Sequence, residues 1–136
     1  MPENNSRVLH FRTYWLLLGW SMVVASFYLS LVPSPPKIIT GLFSDKVLHA
    51  LGYFILMLWF SQIYQSFWHR FWLVLGFVGM GVAIEYLQGM GGYRMFEYAD
   101  MLADTVGVLL AWLVSTFGVG HVLHWTERKL FRVGEE

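Results

Sequence analysis

The 136-residue sequence contains no cysteine, which removes disulfide frameworks, thiolate nucleophiles and zinc ribbons from consideration. It is also poor in charge: Lys, Arg, Asp and Glu make up 13% of the chain, against about a quarter in an average soluble domain. Nine basic and nine acidic residues cancel to a formal net charge of zero, so no global field points to a nucleic-acid partner. Compact metal motifs of the H-E-x-x-H kind are missing. The glycine run "GMGGY" at 89–93 has neither the lysine nor the preceding strand of a phosphate-binding loop. Ser21, Ser26, Ser30, Ser34 and Ser44 have no nucleophile elbow and no adjacent base. No segment alternates as a strand does, which excludes a transmembrane barrel.

What the sequence has instead is apolar length. Hydrophobic residues make up 57% of it, and the mean hydropathy is +0.52. A soluble domain of this size cannot bury that much apolar surface. Four runs, at about 14–31, 47–63, 71–87 and 101–119, each approach the roughly 20 residues that cross a bilayer as helix. The reading is one all-α, polytopic domain over 1–136 with four transmembrane helices and a tail at about 120–136. "VPSPP" at 32–36 stops the first run, since proline removes a donor. Arg7 and Arg12 precede that run as in a cleaved signal peptide, but its length, and Tyr28 and Leu29 where a small-residue cleavage site belongs, make a retained span the expectation.

Orientation follows from Lys and Arg in the short loops. Arg7, Arg12, Arg70, Arg128, Lys129 and Arg132 fall on one side, and Lys37, Lys46 and Arg94 on the other. Six against three places both termini in the cytoplasm. Tyr14, Trp15, Tyr64, Trp68, Trp72 and Trp125 gather near the same boundary, where amphipathic rings anchor.

The polar residues gather at the opposite, outer ends of the spans, and the inner ends are expected to carry no comparable set. Asp45, Lys46, His49 and Tyr53 share one face of the second span, His49 lying four residues after Asp45, three after Lys46 and four before Tyr53. Glu85 and Gln88 close the third span, Arg94 follows in the loop, and Asp100 and Asp104 lie four apart on the fourth. An ionisable group in the hydrocarbon costs roughly 2.5–3.5 kcal/mol, so such groups face a partner or a wet cavity. Three helices can therefore point acid, base and amide groups into one outward-opening pocket. His49 alone beside these carboxylates is too thin a ligand set for zinc, and no metal or other cofactor is expected. Ala103, Gly107, Ala111 and Ser115 form a small-residue stripe for close helix packing, and Gly79 and Ala83 a shorter one. His121 and His124 are expected to pack at the inner interface beside Trp125, and the stretch 127–136 to be a solvated end.

Taken in order, "DKVLHALGYFIL", "EYLQ", the loop arginine Arg94 and "YADMLADTVGVLLAW" resemble the VanZ-like membrane proteins over roughly residues 45–112. Asp104 stands where many relatives carry asparagine. The resemblance implies a small polytopic protein of the bacterial inner membrane and a role in the cell envelope, through the family's link to teicoplanin resistance. It implies no established reaction.

Two functions fit these residues. In the first, the pocket binds or processes an anionic lipid or an envelope-precursor head group. Lys46, His49 and Arg94 meet its phosphate, Glu85 and Asp100 orient the cations, and Asp104 holds the fourth helix to the site. Gln88 lines the same pocket. His49 or Glu85 is the candidate general base, because a desolvated titratable group can exchange protons near neutral pH. In the second, the cluster is an interhelical lock or the docking point of an envelope protein or a second copy. A proton-coupled carrier fits less well, for want of a matching polar path in the inner half.

Overall fold

In a computed structural model, residues 8–33, 43–92 and 94–131 are described; they form five helices and one short 3-10 turn. Four helices are long and apolar enough to span a membrane: α1 (Arg12–Leu31), α2 (Asp45–Ile63), α3 (Phe67–Met90) and α4 (Tyr98–Thr116). The turn Val119–His121 leads into α5 (Val122–Phe131). At about 1.5 Å per residue the four long helices match a hydrocarbon core of about 30 Å. Of the expected helix stop at 32–36, residues 34–36 lie outside the described residues, as do Arg7, Lys37 and Arg132 of the charge count.

Local chemistry sets the helix ends. The Ser44 hydroxyl accepts from Val47 N–H at 3.4 Å to start α2, and the Ser66 hydroxyl accepts from His69 N–H at 3.2 Å to start α3. That cap begins α3 at Phe67, four residues earlier than the apolar run alone indicates. The fourth helix also begins and ends three residues earlier than expected. Glu97 holds the N-cap position without a side-chain cap, its carbonyl accepting from Asp100 N–H at 3.1 Å, and Gly118 terminates the helix in the left-handed region at φ 98°, which favours glycine.

The core joins Tyr53, Leu56, Met57 and Phe60 of α2 to Val74 and Phe77 of α3 and to Val108 and Ala111 of α4. Its tightest seam lies between α2 and α4. A Cβ on Gly107 would collide with the Ala50 carbonyl, and Gly107, Ala111 and Ser115 of the expected stripe are all buried. The shorter stripe is a correction: Gly79 and Ala83 face outward, and a Cβ on Gly79 meets nothing within 4 Å. Close approach on α3 falls instead to Gly81, where a Cβ would lie 2.6 Å from Asp104 Oδ2.

α1 is peripheral: 6% of its most apolar window is buried, against 33–39% in the other three spans. It is held where Gly19 meets the rings of Trp59 and Phe60, and where Trp59 Nε1–H donates to the Trp15 carbonyl at 3.0 Å.

A second correction concerns the end that carries the described chain ends. Residues 122–131 form a packed helix with Leu123, His124 and Glu127 buried, so Glu127 is not part of a solvated tail. Its carboxylate accepts from His10 N–H at 2.8 Å, Phe11 N–H at 3.0 Å and Trp15 Nε1–H at 2.6 Å. α1 has no side-chain cap of its own and no acid in its first turn, and Glu127 supplies both across the chain. His124 packs inside, with its ring 6.2 Å from that of exposed His121. This end also buries Arg70, which donates to the Ser61 carbonyl at 2.7 Å and the Tyr64 carbonyl at 3.0 Å. Those carbonyls close the C-terminus of α2, where a cation is favourable. Gln62 accepts from Leu123 N–H at 2.9 Å. The expectation that only one end is polar therefore fails, because helix termini that meet there need buried partners.

Candidate functional site

The opposite end of the bundle assembles most of the polar residues singled out above. Asp45, Lys46 and His49 occupy the first five positions of α2, where the chain enters the bundle. Asp100 and Asp104 lie on the buried face of the first turns of α4, which packs against α2. Arg94 and Glu97 come from the loop that joins α3 to α4.

One connected network results. Lys46 Nζ donates to Glu97 Oε2 and to Asp100 Oδ1. Arg94 Nη2 donates to Asp45 Oδ2, lies 3.7 Å from Asp100 Oδ2 and stands 3.4 Å from His49 Nε2. His49 Nδ1 is 2.9 Å from Asp104 Oδ1. An ionised carboxylate only accepts, so Nδ1 carries the hydrogen, and in the neutral ring Nε2 is left as an acceptor. Nε2 sits 3.8 Å from Asp100 and 3.9 Å from Asp45. The pair is thus an imidazole oriented by a buried carboxylate, with its basic nitrogen on the side of the loop arginine. Such a pair can take up and return a proton.

Depth divides the network. Asp100 and Asp104 are buried, whereas the side chains of Lys46 and Arg94 are 40% and 31% exposed and form a cationic rim. Asp45 and Glu97 stand beside them, about half exposed. Ion pairs at such a rim are worth about 0–1 kcal/mol each. Removing the partner of a buried carboxylate costs about 3–5 kcal/mol, so Asp100 and Asp104 fix the floor while the rim can exchange partners.

Glu85 and Gln88 are buried but placed differently. Glu85 Oε1 accepts from Glu97 N–H at 2.5 Å, and among the described residues no ion pair joins it to Lys46, His49 or Arg94. Among the described residues it reaches the network by fixing the backbone of Glu97. Gln88 Nε2–H donates to the Ser30 carbonyl at 2.6 Å, tying the end of α3 to the end of α1. Six of the eight expected residues therefore meet directly, Glu85 supports them through the loop, and Gln88 serves the α1 contact. The Tyr53 hydroxyl, one turn below His49, is buried without a protein hydrogen-bond partner among the described residues.

Asp45, His49 and Asp100 each bring a ligand atom within 4.8 Å of the others, which is close enough for a cation. The Arg94 guanidinium already lies among those three groups, so the chain supplies its own positive charge there.

Glu97 is the residue that sequence reasoning missed. The available signal is its position three residues before Asp100, one helical turn away, which lets both acids reach Lys46. Gly81 was missed as well, because its role exists only against Asp104 on another helix.

No curated protein and no solved structure matches the chain. The sequence profile of the VanZ/LLP1 family matches residues 3–119, all four spans and every residue of the network included. The chain belongs to the VanZ/LLP1 family.

Proposed function

We propose that this is an inner-membrane protein of the bacterial cell envelope whose polar cluster faces outward and takes the head group of a lipid or lipid-linked envelope precursor. Both described chain ends then lie on the cytoplasmic side. Arg12, Arg70, Arg128 and Lys129 fall at that end of the described chain and Lys46 and Arg94 at the other, which supports this orientation.

The observation that carries the reading is the exposed cationic rim of Lys46 and Arg94 over buried Asp100 and Asp104. A phosphate is a charge-assisted partner for both cations. It displaces Asp45 and Glu97, the two exposed carboxylates, while Asp100 stays in place beneath it. The network holds four carboxylates, Asp45, Glu97, Asp100 and Asp104, against the two fixed cations. A head group that pairs its phosphate with an amine suits both signs, the amine meeting the displaced acids. His49 is the proton acceptor of this site through Nε2, and Glu85 holds the loop that carries the rim.

The second reading, an interhelical lock or a docking point for an envelope protein or a second copy, is favoured by one observation: Lys46 and Arg94 are already paired with carboxylates. Native mass spectrometry of detergent-purified protein separates the two, with wild type beside Lys46→Ala and Arg94→Ala. A defined phospholipid retained by wild type and lost from both folded variants supports a head-group site. Equal lipid profiles in all three, with lowered thermal stability in the variants, support the lock and overturn the first reading.

A further inference from the structure

A groove of about 370 Å³ runs between α1 and α3 in the half of the molecule nearest the described chain ends. Trp20 and Val23 form one wall, Trp72, Gly76 and Met80 the other, with Phe60 and Phe77 as the floor. It exists because α1 seats Gly19 on Trp59 and Phe60 of α2, while Gly76 offers α3 no side chain toward α1. A Cβ at Gly76 meets no atom within 4 Å.

Its dimensions select an occupant. His69 and Met80 mark its two ends on α3, eleven positions apart, or about 16 Å at the helical rise. That is about half of the roughly 30 Å hydrocarbon core, so the groove spans a single leaflet. Over that length its walls are apolar, Trp20, Val23, Leu73, Phe77 and Met80 among them, so the occupant is hydrocarbon. A single hydrocarbon chain fits.

The interfacial end is cationic. Tyr64 stacks on His69 with ring centroids 5.5 Å apart, and the Arg12 guanidinium lies 5.2 Å from the Tyr64 centroid. Arg12 is exposed, and among the described residues no carboxylate lies within ion-pair distance of it, in contrast to Lys46 and Arg94. We propose that this groove binds one acyl chain of an anionic phospholipid of the leaflet on the chain-end side, with its phosphate at Arg12. The site shares no residue with the ion network at the other end of the bundle.

The test uses the full chain in vesicles of phosphatidylethanolamine with a minority of phosphatidylglycerol that carries a photoreactive acyl chain. Labelled positions are read by peptide mass spectrometry. Labelling is expected to concentrate on Val23, Leu73 and Met80. Gly76→Leu places a side chain in the groove, at a position where the Cβ meets no atom within 4 Å, and lowers that labelling about tenfold, as two displaced methylenes require. Even labelling of the lipid-facing Leu102, Leu109 and Leu113 of α4, unchanged by Gly76→Leu, means annular lipid only and overturns the site. Arg12→Gln, an exposed substitution, tests the head group should Gly76→Leu fail to fold. It removes the preference for phosphatidylglycerol over phosphatidylethanolamine probe, and a preference that survives it overturns the anionic assignment.

Discussion

Glu127 is the residue whose environment departs furthest from its sequence context. It sits in a mixed-charge stretch that reads as solvated, yet its carboxylate serves three donors on the opposite end of the chain. Nothing local signals this: a cap normally comes from within three residues of a helix start, and here it comes from more than a hundred residues away. Glu127→Ala leaves those donors without a protein partner and is expected to lower stability by about 2–3 kcal/mol, read as the thermal unfolding shift in detergent. Glu127→Gln keeps an acceptor and is expected to cost about half as much. Equal, negligible shifts in both variants would show that water replaces the carboxylate. His49 and Asp104 behave in the opposite way. Helical spacing sets His49 with Asp45 and Asp104 with Asp100 on their own spans, and the contact between His49 and Asp104 needs only that α2 and α4 be neighbours. Asp104→Asn retains an oxygen to accept the His49 Nδ1–H and is expected to fold as wild type. Asp104→Leu brings branched carbon to the place where Gly81 leaves no room and is expected to cost about 1–3 kcal/mol or more.

At the scale of elements, the apolar runs locate the four spans because a bilayer imposes one length on every crossing helix. Their ends are less legible. Ser44 and Ser66 move helix starts through single hydrogen bonds, and Gly118 stops α4 through its backbone angle. Glycine stripes are legible in kind but not in direction, since the same spacing serves a lipid-facing surface and a buried seam. A matched pair on α3 separates the two cases. Gly79→Ala meets open space and is expected to stabilise by about 0.5–1 kcal/mol through helix propensity. Gly81→Ala, two residues on, pushes against Asp104 and is expected to destabilise by about 1–3 kcal/mol. Thermal unfolding of the two variants in the same detergent checks both signs at once; matching signs would mean that α3 and α4 are not seated as described. Gly107→Ala belongs with the second case and is the more severe, because the obstacle is the Ala50 backbone rather than a side chain that can turn.

For the whole molecule, the two ends of the bundle use polar groups for different work. At the chain-end side, Arg70, Gln62 and Glu127 satisfy helix termini and fasten α5 across the bundle. At the other side, seven residues from α2, the loop and α4 converge on one network with an exposed cationic rim. Sequence spacing exposes the second set because its members repeat every three or four residues along helix faces. It conceals the first, whose partners are backbone groups that no residue type announces. It also conceals Glu97, which belongs to the rim by virtue of the loop path that Glu85 fixes.

The most direct test of head-group binding is solid-state NMR of the protein in phospholipid bilayers, with the arginine guanidinium and lysine Nζ nitrogens labelled. Phosphorus–nitrogen dipolar contacts are measured, and Arg94 and Lys46 are assigned by comparison with Arg94→Ala and Lys46→Ala. Head-group binding predicts phosphorus contacts from both nitrogens that vanish in the respective variants. Carboxylate contacts alone at both nitrogens, with no phosphorus coupling in any lipid mixture, would contradict it and leave the cluster as a lock between helices.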